Sequence, residues 1–182
     1  MLLVVCRSAI GQTKTDSSPF GSVYTNAHLG FRYRPPDGMR DKTERFRLQI
    51  QEQAKDSGTT QTLSALLAMS TGPDGALPNW SSVTIETYPR KAVADLDDAS
   101  AEAKMSAWVA HSKDPTALPR SVVLSGQRFA VSIFGMQEGT TKKGAIVWTT
   151  VRKDKLLSFA FVANSPEQLK RLTESMKSIQ FF

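Results

Sequence analysis

GAIVWTTVRKDKLLSFAFVANSPEQLKRLTESMKSI, residues 144–179, is the stretch that decides the fold. Gly144 to Val151 and Leu156 to Ala163 are two runs rich in β-branched, aromatic and aliphatic residues, separated by Lys153-Asp154-Lys155. So short and charged a link is an exposed hairpin turn. Strands joined this tightly run antiparallel, because a parallel return needs a crossover of roughly a dozen residues or more. The period then changes. Ser165 supplies an N-cap, Pro166 suits the first helical turn, and Gln168 stands where a capping box needs it. Leu169, Leu172, Met176 and Ile179 follow at intervals of three and four and predict an apolar stripe lying across the sheet.

Working upstream, Val122-Val123-Leu124 and Phe129, Val131, Ile133 flank Ser125-Gly126 and read as another hairpin. In Asp98 to Lys113, Ala101, Met105, Trp108 and Val109 share one helical face, and Pro115 and Pro119 end it. Val83, Ile85 and Thr87 form a strand ending at Pro89, and Leu63, Ala65, Leu67 and Met69 alternate inward in another, closed by the loop 71–78. Residues 42–55 satisfy both periods, since Phe46, Ile50 and Ala54 keep helical spacing while Phe46, Leu48 and Ile50 alternate. Asp41 followed by Glu44 favours a short helix. Leu29, Phe31 and Tyr33 alternate with Gly30, Arg32 and Arg34, a half-buried strand stopped by the turn Pro35-Pro36-Asp37-Gly38. These elements predict an α+β domain: a largely antiparallel β-sheet with packed helices.

The 182 residues carry 40% hydrophobic and 22% charged side chains, which suits one globular domain. A lone cysteine, Cys6, excludes an intramolecular disulfide and a cysteine-built zinc site. No run approaches the ~20 apolar residues of a membrane span. Residues 1–12 look like the tail of a secretory signal, although Arg7 interrupts the apolar stretch, and a frayed or sheet-edge N-terminus is the alternative. Residues 13–21 have linker composition. The expected organisation is therefore a signal remnant and linker over 1–21 and one domain over 22–182, placed outside the cytoplasm, with a cytoplasmic location as the alternative.

The opening Tyr24-Thr-Asn-Ala-His-Leu-Gly-Phe-Arg-Tyr-Arg-Pro-Pro-Asp-Gly38 resembles the start of proteins of the PsbP-like superfamily. The closing order is similar too: a turn at Ser125-Gly126, a hairpin over 143–163, then a capped helix ending Ser178-Ile179-Gln180-Phe181. The resemblance covers 22–182 by element order and implies an α/β/α sandwich around an antiparallel sheet. The superfamily includes extrinsic photosystem subunits, a nuclear-import factor and exported bacterial proteins, with no well-established enzyme class, so the resemblance implies a binding or accessory module. Met39 stands where related sequences often carry Trp, and residues 41–59 have no counterpart.

The side chains point the same way. His28 and His111 lie in different elements, without a nucleophile at motif spacing or a Gly-x-Ser-x-Gly elbow. No catalytic residue is assigned. An enzyme would have to assemble its site from dispersed groups such as His28, His111, Asp97 and Glu102. Asp95, Asp97, Asp98 and Glu102 are the densest acidic group, but EF-hand spacing is missing and helix capping explains them, so no metal is expected. Phosphate-loop and dinucleotide fingerprints are missing as well, and no cofactor is expected.

A net charge of +6 raises the question of nucleic acid, yet the basic residues form small clusters such as Arg152/Lys153/Lys155, read as solvated faces. In Phe31-Arg32-Tyr33-Arg34 the alternation sends aromatics and arginines to opposite faces, which argues against a nucleic-acid platform. Arg32, Arg34 and the loop residue Trp80 are the candidate binding residues, for a protein or anionic ligand, with packing beneath the loop as the simpler reading of Trp80.

Overall fold

A computed structural model describes residues 23–56, 63–72, 78–109, 119–138 and 141–182, with the side chains of 107–109, 136–138 and 141–143 left aside. The elements are β1 (Tyr24–Asn26), β2 (Phe31–Tyr33), β3 (Arg40–Asp41), α1 (Thr43–Asp56), β4 (Ser64–Ser70), β5 (Ser81–Pro89), α2 (Asp98–Val109), β6 (Arg120–Leu124), β7 (Gln127–Glu138), β8 (Thr141–Arg152), β9 (Lys155–Ala163), α3 (Pro166–Glu174) and β10 (Gln180–Phe181). A 3-10 turn, Ser175–Ser178, joins α3 to β10. The signal-like residues 1–12, the linker 13–21, His111, Pro115 and the inward positions Trp108 and Val109 lie outside what is described.

Seven strands form one sheet in the order β3-β4-β5-β9-β8-β7-β6, and β1-β2-β10 form a small second sheet. All pairings are antiparallel. The β8–β9 turn is Lys153-Asp154, both with positive φ, and the β6–β7 turn is Ser125-Gly126, also both positive. Paired left-handed residues are what a two-residue hairpin of the right twist requires.

Register separates the two faces of the large sheet. One cross-strand row runs Leu67, Ile85, Phe159, Trp148, Val131, and the next runs Met69, Val83, Phe161, Ile146, Ile133. On this first face lie α3 and the small sheet, which contribute Leu172, Met176, Ile179, Leu29, Phe31 and Tyr33 to one core cluster. Phe159 meets Phe31, Tyr33 and Phe129 at ring-centroid distances of 5.7, 5.9 and 6.3 Å, all edge-on. Such pairs add about 0.5–1.5 kcal/mol each beyond burial. The predicted stripe of α3 is in place, and Ser165 Oγ accepts from the Gln168 N–H at 3.2 Å. The Gln168 side chain turns back to the cap, its Oε1 accepting from Ser165 Oγ at 3.4 Å, while its amide donates to Asn79 O at 2.6 Å and ties α3 to the loop before β5.

The second face carries α2. Ala101 and Met105 pack with Tyr88, Val93 and Leu156, and Ser106 Oγ donates to Ser132 Oγ at 2.7 Å. Asp97 caps this helix, accepting from Ser100 N–H at 2.8 Å, which is the capping reading of the acidic group. Glu102 departs from that reading: it is 3% exposed, because one turn past the cap its side chain points at the sheet.

Two expectations about the strands need correction. Leu63, Ala65, Leu67 and Met69 do not share a face, because a register shift between Ala65 and Leu67 inserts one extra residue. Leu67 and Met69 join the aromatic core, Ala65 stands opposite Glu86 on the second face, and Leu63 packs against the second cluster. Ile133, in line with Phe129 and Val131, is 59% exposed, since the apolar row continues past the cover that α3 provides. Residues 43–56 resolve as helix, with Thr43 N–H donating to Asp41 Oδ1 at 2.7 Å.

Candidate functional site

β2 is the middle strand of the small sheet, so its two faces meet different surroundings. Phe31 and Tyr33 are fully buried, pressed onto the large sheet. Tyr33 Oη shares a 2.6 Å hydrogen bond with Ser175 Oγ, and burial pushes its phenol well above the usual range. The alternate positions face outward by the same pleat. Arg32 sits between Thr25 and Gln180 in register, exposed, with its Nε donating to Gln180 Oε1 at 2.6 Å. Arg34 is exposed just beyond the strand, its backbone pinned at both groups. Its N–H donates to Ser178 Oγ at 3.0 Å, and its carbonyl accepts from the same hydroxyl at 3.1 Å. Two guanidinium groups thus stand two residues apart, roughly 7 Å along the strand direction, on a backbone that neighbouring elements hold still.

Arg152 holds this sheet against the rest of the domain. Its Nε donates to Leu29 O at 2.9 Å, its Nη2 donates to Gly30 O at 3.3 Å and Phe182 O at 3.0 Å, and the guanidinium lies 5.2 Å from the Phe181 ring centre. Lys153 Nζ adds a bond to His28 O at 2.8 Å. Gly30 has φ +65°, and a Cβ there would strike the Phe182 carbonyl oxygen, so only glycine fits. The sequence reading placed Arg152 in a solvated cluster, whereas the structure makes it a clamp. A signal was present: Trp148, Thr150 and Arg152 continue the inward alternation of β8, and the next position on that face receives the small sheet.

Trp80 does not join the arginines. It is half-buried at the entrance to β5, and its carbonyl accepts from Asn164 N–H at 3.2 Å, beside the start of α3. Arg34 bonds to Ser178, beyond the end of α3. The length of that helix, about 13 Å for nine residues, separates the two candidates.

The groups of a dispersed catalytic site are also separated. His28 is exposed in the turn between β1 and β2, on the first face. Glu102 lies under α2 on the second face, accepting from Val151 N–H at 3.2 Å and pairing with Arg128 Nη2 at 3.2 Å. Burial raises its carboxyl pKa above the ordinary value, and Arg128 offsets part of that. Asp97, by contrast, is held below the usual range by the N–H and hydroxyl of Ser100. The sheet stands between His28 and Glu102. Among the described residues, no three His, Cys, Asp or Glu side chains gather where they could hold a metal ion, and no helix is long and apolar enough to cross a membrane.

No family model matches the sequence, and no curated protein matches it. Solved structures do. Cyanobacterial PsbP from Synechocystis sp. PCC 6803 is similar over 95% of this chain and 99% of its own, at a TM-score of 0.53 and 13% identity. LpqN of Mycobacterium tuberculosis, involved in cell envelope biogenesis, is similar over 87% of this chain and 88% of its own, at 0.50 and 10%. A protein of Bacteroides thetaiotaomicron matches at 0.43 and 11% over 84% of this chain, which spans 45% of that longer protein. The class that the first two define is an α+β sheet-and-helix sandwich, and within it the chain has a PsbP-like fold.

Proposed function

We propose that this is a non-catalytic, extracytoplasmic accessory or binding protein, with residues 1–21 as signal remnant and linker and 22–182 as the binding domain. Arg32 and Arg34 form its contact for an anionic partner, with Trp80 as a separate, weaker contact. The observation that carries this reading is the small sheet itself. One of its faces is fully committed to the core, and the other offers two exposed guanidinium groups on a backbone fixed by Gln180 and Ser178. Preorganised cations of this kind bind anions without a large ordering cost. A fold similar to that of LpqN, a protein involved in cell envelope biogenesis, and the apolar opening of the sequence support the location.

The test is charge reversal. Arg32→Glu with Arg34→Glu is expected to abolish retention on a heparin column run at 100 mM salt while leaving the circular dichroism spectrum and melting temperature unchanged. Loss of the fold would make the arginines structural, and unchanged retention would refute the contact. For location, fractionation of the chain produced from its native locus is expected to place it outside the cytoplasm, and recovery from the cytoplasm would overturn that part.

A further inference from the structure

The outward face of the small sheet carries more than charge. Tyr24 pairs with Tyr33, so Val23 falls beside Arg34 at the next position, exposed on the same side as Thr25. At the opposite margin Phe182 N–H donates to Gly30 O at 2.9 Å, which carries the β10 ladder one residue further. Phe181 packs against the core, so Gln180 and Phe182 turn outward. Five large apolar residues among those described are exposed, and this face holds two of them, Val23 at 38% and Phe182 at 64%. They occupy opposite corners, roughly 16 Å apart by strand spacing and rise. Arg32 and Arg34 lie between them on the middle strand, and among the described residues no carboxylate pairs with either arginine.

We infer that this face rests on the surface of an anionic lipid bilayer. The inference builds on the anionic contact at Arg32 and Arg34 and names its partner. Guanidinium forks match phosphate oxygens, and each arginine near an anionic bilayer raises affinity about fivefold. Charge alone leaves the corners unexplained. An acidic segment laid over the two arginines follows β2 and reaches neither Val23 nor Phe182, which stand beside the flanking strands. A lipid interface is planar and layered, so headgroup phosphates meet the arginines while the boundary of the acyl chains takes apolar side chains from both corners at once. Long arginine stems suit that depth, because they lie along apolar surroundings and keep the charged head among the phosphates. Two side chains of this size make a shallow, reversible anchor.

The experiment sediments the full chain with vesicles of phosphatidylcholine, alone or with about 30% phosphatidylglycerol, at about 100 mM salt. Binding is expected to the phosphatidylglycerol vesicles only, and Arg32→Glu with Arg34→Glu is expected to weaken it at least tenfold. Val23→Ser with Phe182→Ser is expected to weaken it at least fivefold and to leave retention on heparin unchanged, whereas Leu48→Ser, at an exposed apolar position on α1, is expected to change neither. As a second reading that needs no loss of side chain, the added indole of Phe182→Trp is expected to shift its emission to the blue, relative to the parent, when those vesicles are added. Undiminished binding by the serine pair, equal binding to both kinds of vesicle, or an unshifted indole would each overturn the bilayer. Retention on heparin without vesicle binding would also overturn it, leaving the anionic contact standing with an acidic polymer as its partner. Loss of both in the parent protein would mean that the contact itself had failed.

Discussion

The same five central strands build two unlike interiors. On the first face the inward positions of β5, β9 and β7 are Val83, Ile85, Phe159, Phe161 and Phe129, all fully buried. On the second face of β5, β9, β8 and β7 stand Glu86, Ser158, Thr149 and Ser132, also buried, with Ser106 of α2 above them. The first face is held by shape and area, the second by paired hydroxyls: Ser106 to Ser132 at 2.7 Å, and Thr149 with Ser158 at 3.2 Å. Strand pleating sets which residues share a face, and the helix laid on top decides which of them are buried and with what partners.

The largest blow to the first face comes from Leu172→Asp. Leu172 is 3% exposed within the aromatic core, and an unpaired carboxylate there is expected to cost about 4 kcal/mol or more. Urea unfolding at neutral pH reads it, and a loss under about 1 kcal/mol would mean that α3 is not integral to the core. On the second face a pair of variants separates polarity from packing. Thr149→Val alone deprives Ser158 of a buried partner and is expected to cost about 1–3 kcal/mol, whereas adding Ser158→Ala is expected to recover most of it. If the double variant is instead as unstable as the two single losses added together, the hydroxyls are not acting as a pair.

The smallest effect is electrostatic. The carboxyl of Glu102 has a folded-state pKa raised above its ordinary 4.5, chiefly by burial. The folded protein therefore binds a proton more readily than the unfolded chain does in that window. Stability linked to Glu102 is fully present below about 4.5, and it is lost as pH rises through the higher folded value. Relative to Glu102→Gln, which does not titrate, the parent protein is expected to gain stability between pH 7.5 and pH 4.5. A difference between the two that stays flat with pH would show that Arg128 fully compensates the burial.

That contrast also marks what could be read from the residues. Phe31, Tyr33, Phe159, Leu172 and Ile179 were legible as core because alternation and helical spacing put greasy side chains in register. Ser132, Thr149 and Ser158 carry no such signal, since a small hydroxyl residue looks the same beneath a helix as in water. Glu102 was masked by Asp97 and Asp98 just before it, and the cap explains those two without explaining a carboxylate one turn later. The bulge in β4 left no mark either, because Leu63, Ala65, Leu67 and Met69 alternate perfectly until one residue is skipped. For the candidate site, alternation was enough to turn Arg32 and Arg34 outward. Their isolation from Trp80 depended on where α3 lies, a tertiary fact.

The small sheet has a bearing on how the molecule is made. Arg32 and Gln180 are 148 positions apart, yet they lie side by side in it. A ribosome would have to release nearly everything between them before Phe31 and Tyr33 could find their final shelter. Contacts of such sequence separation slow folding. Phe31 and Tyr33 both pack on Phe159, so their shelter waits at least for β9.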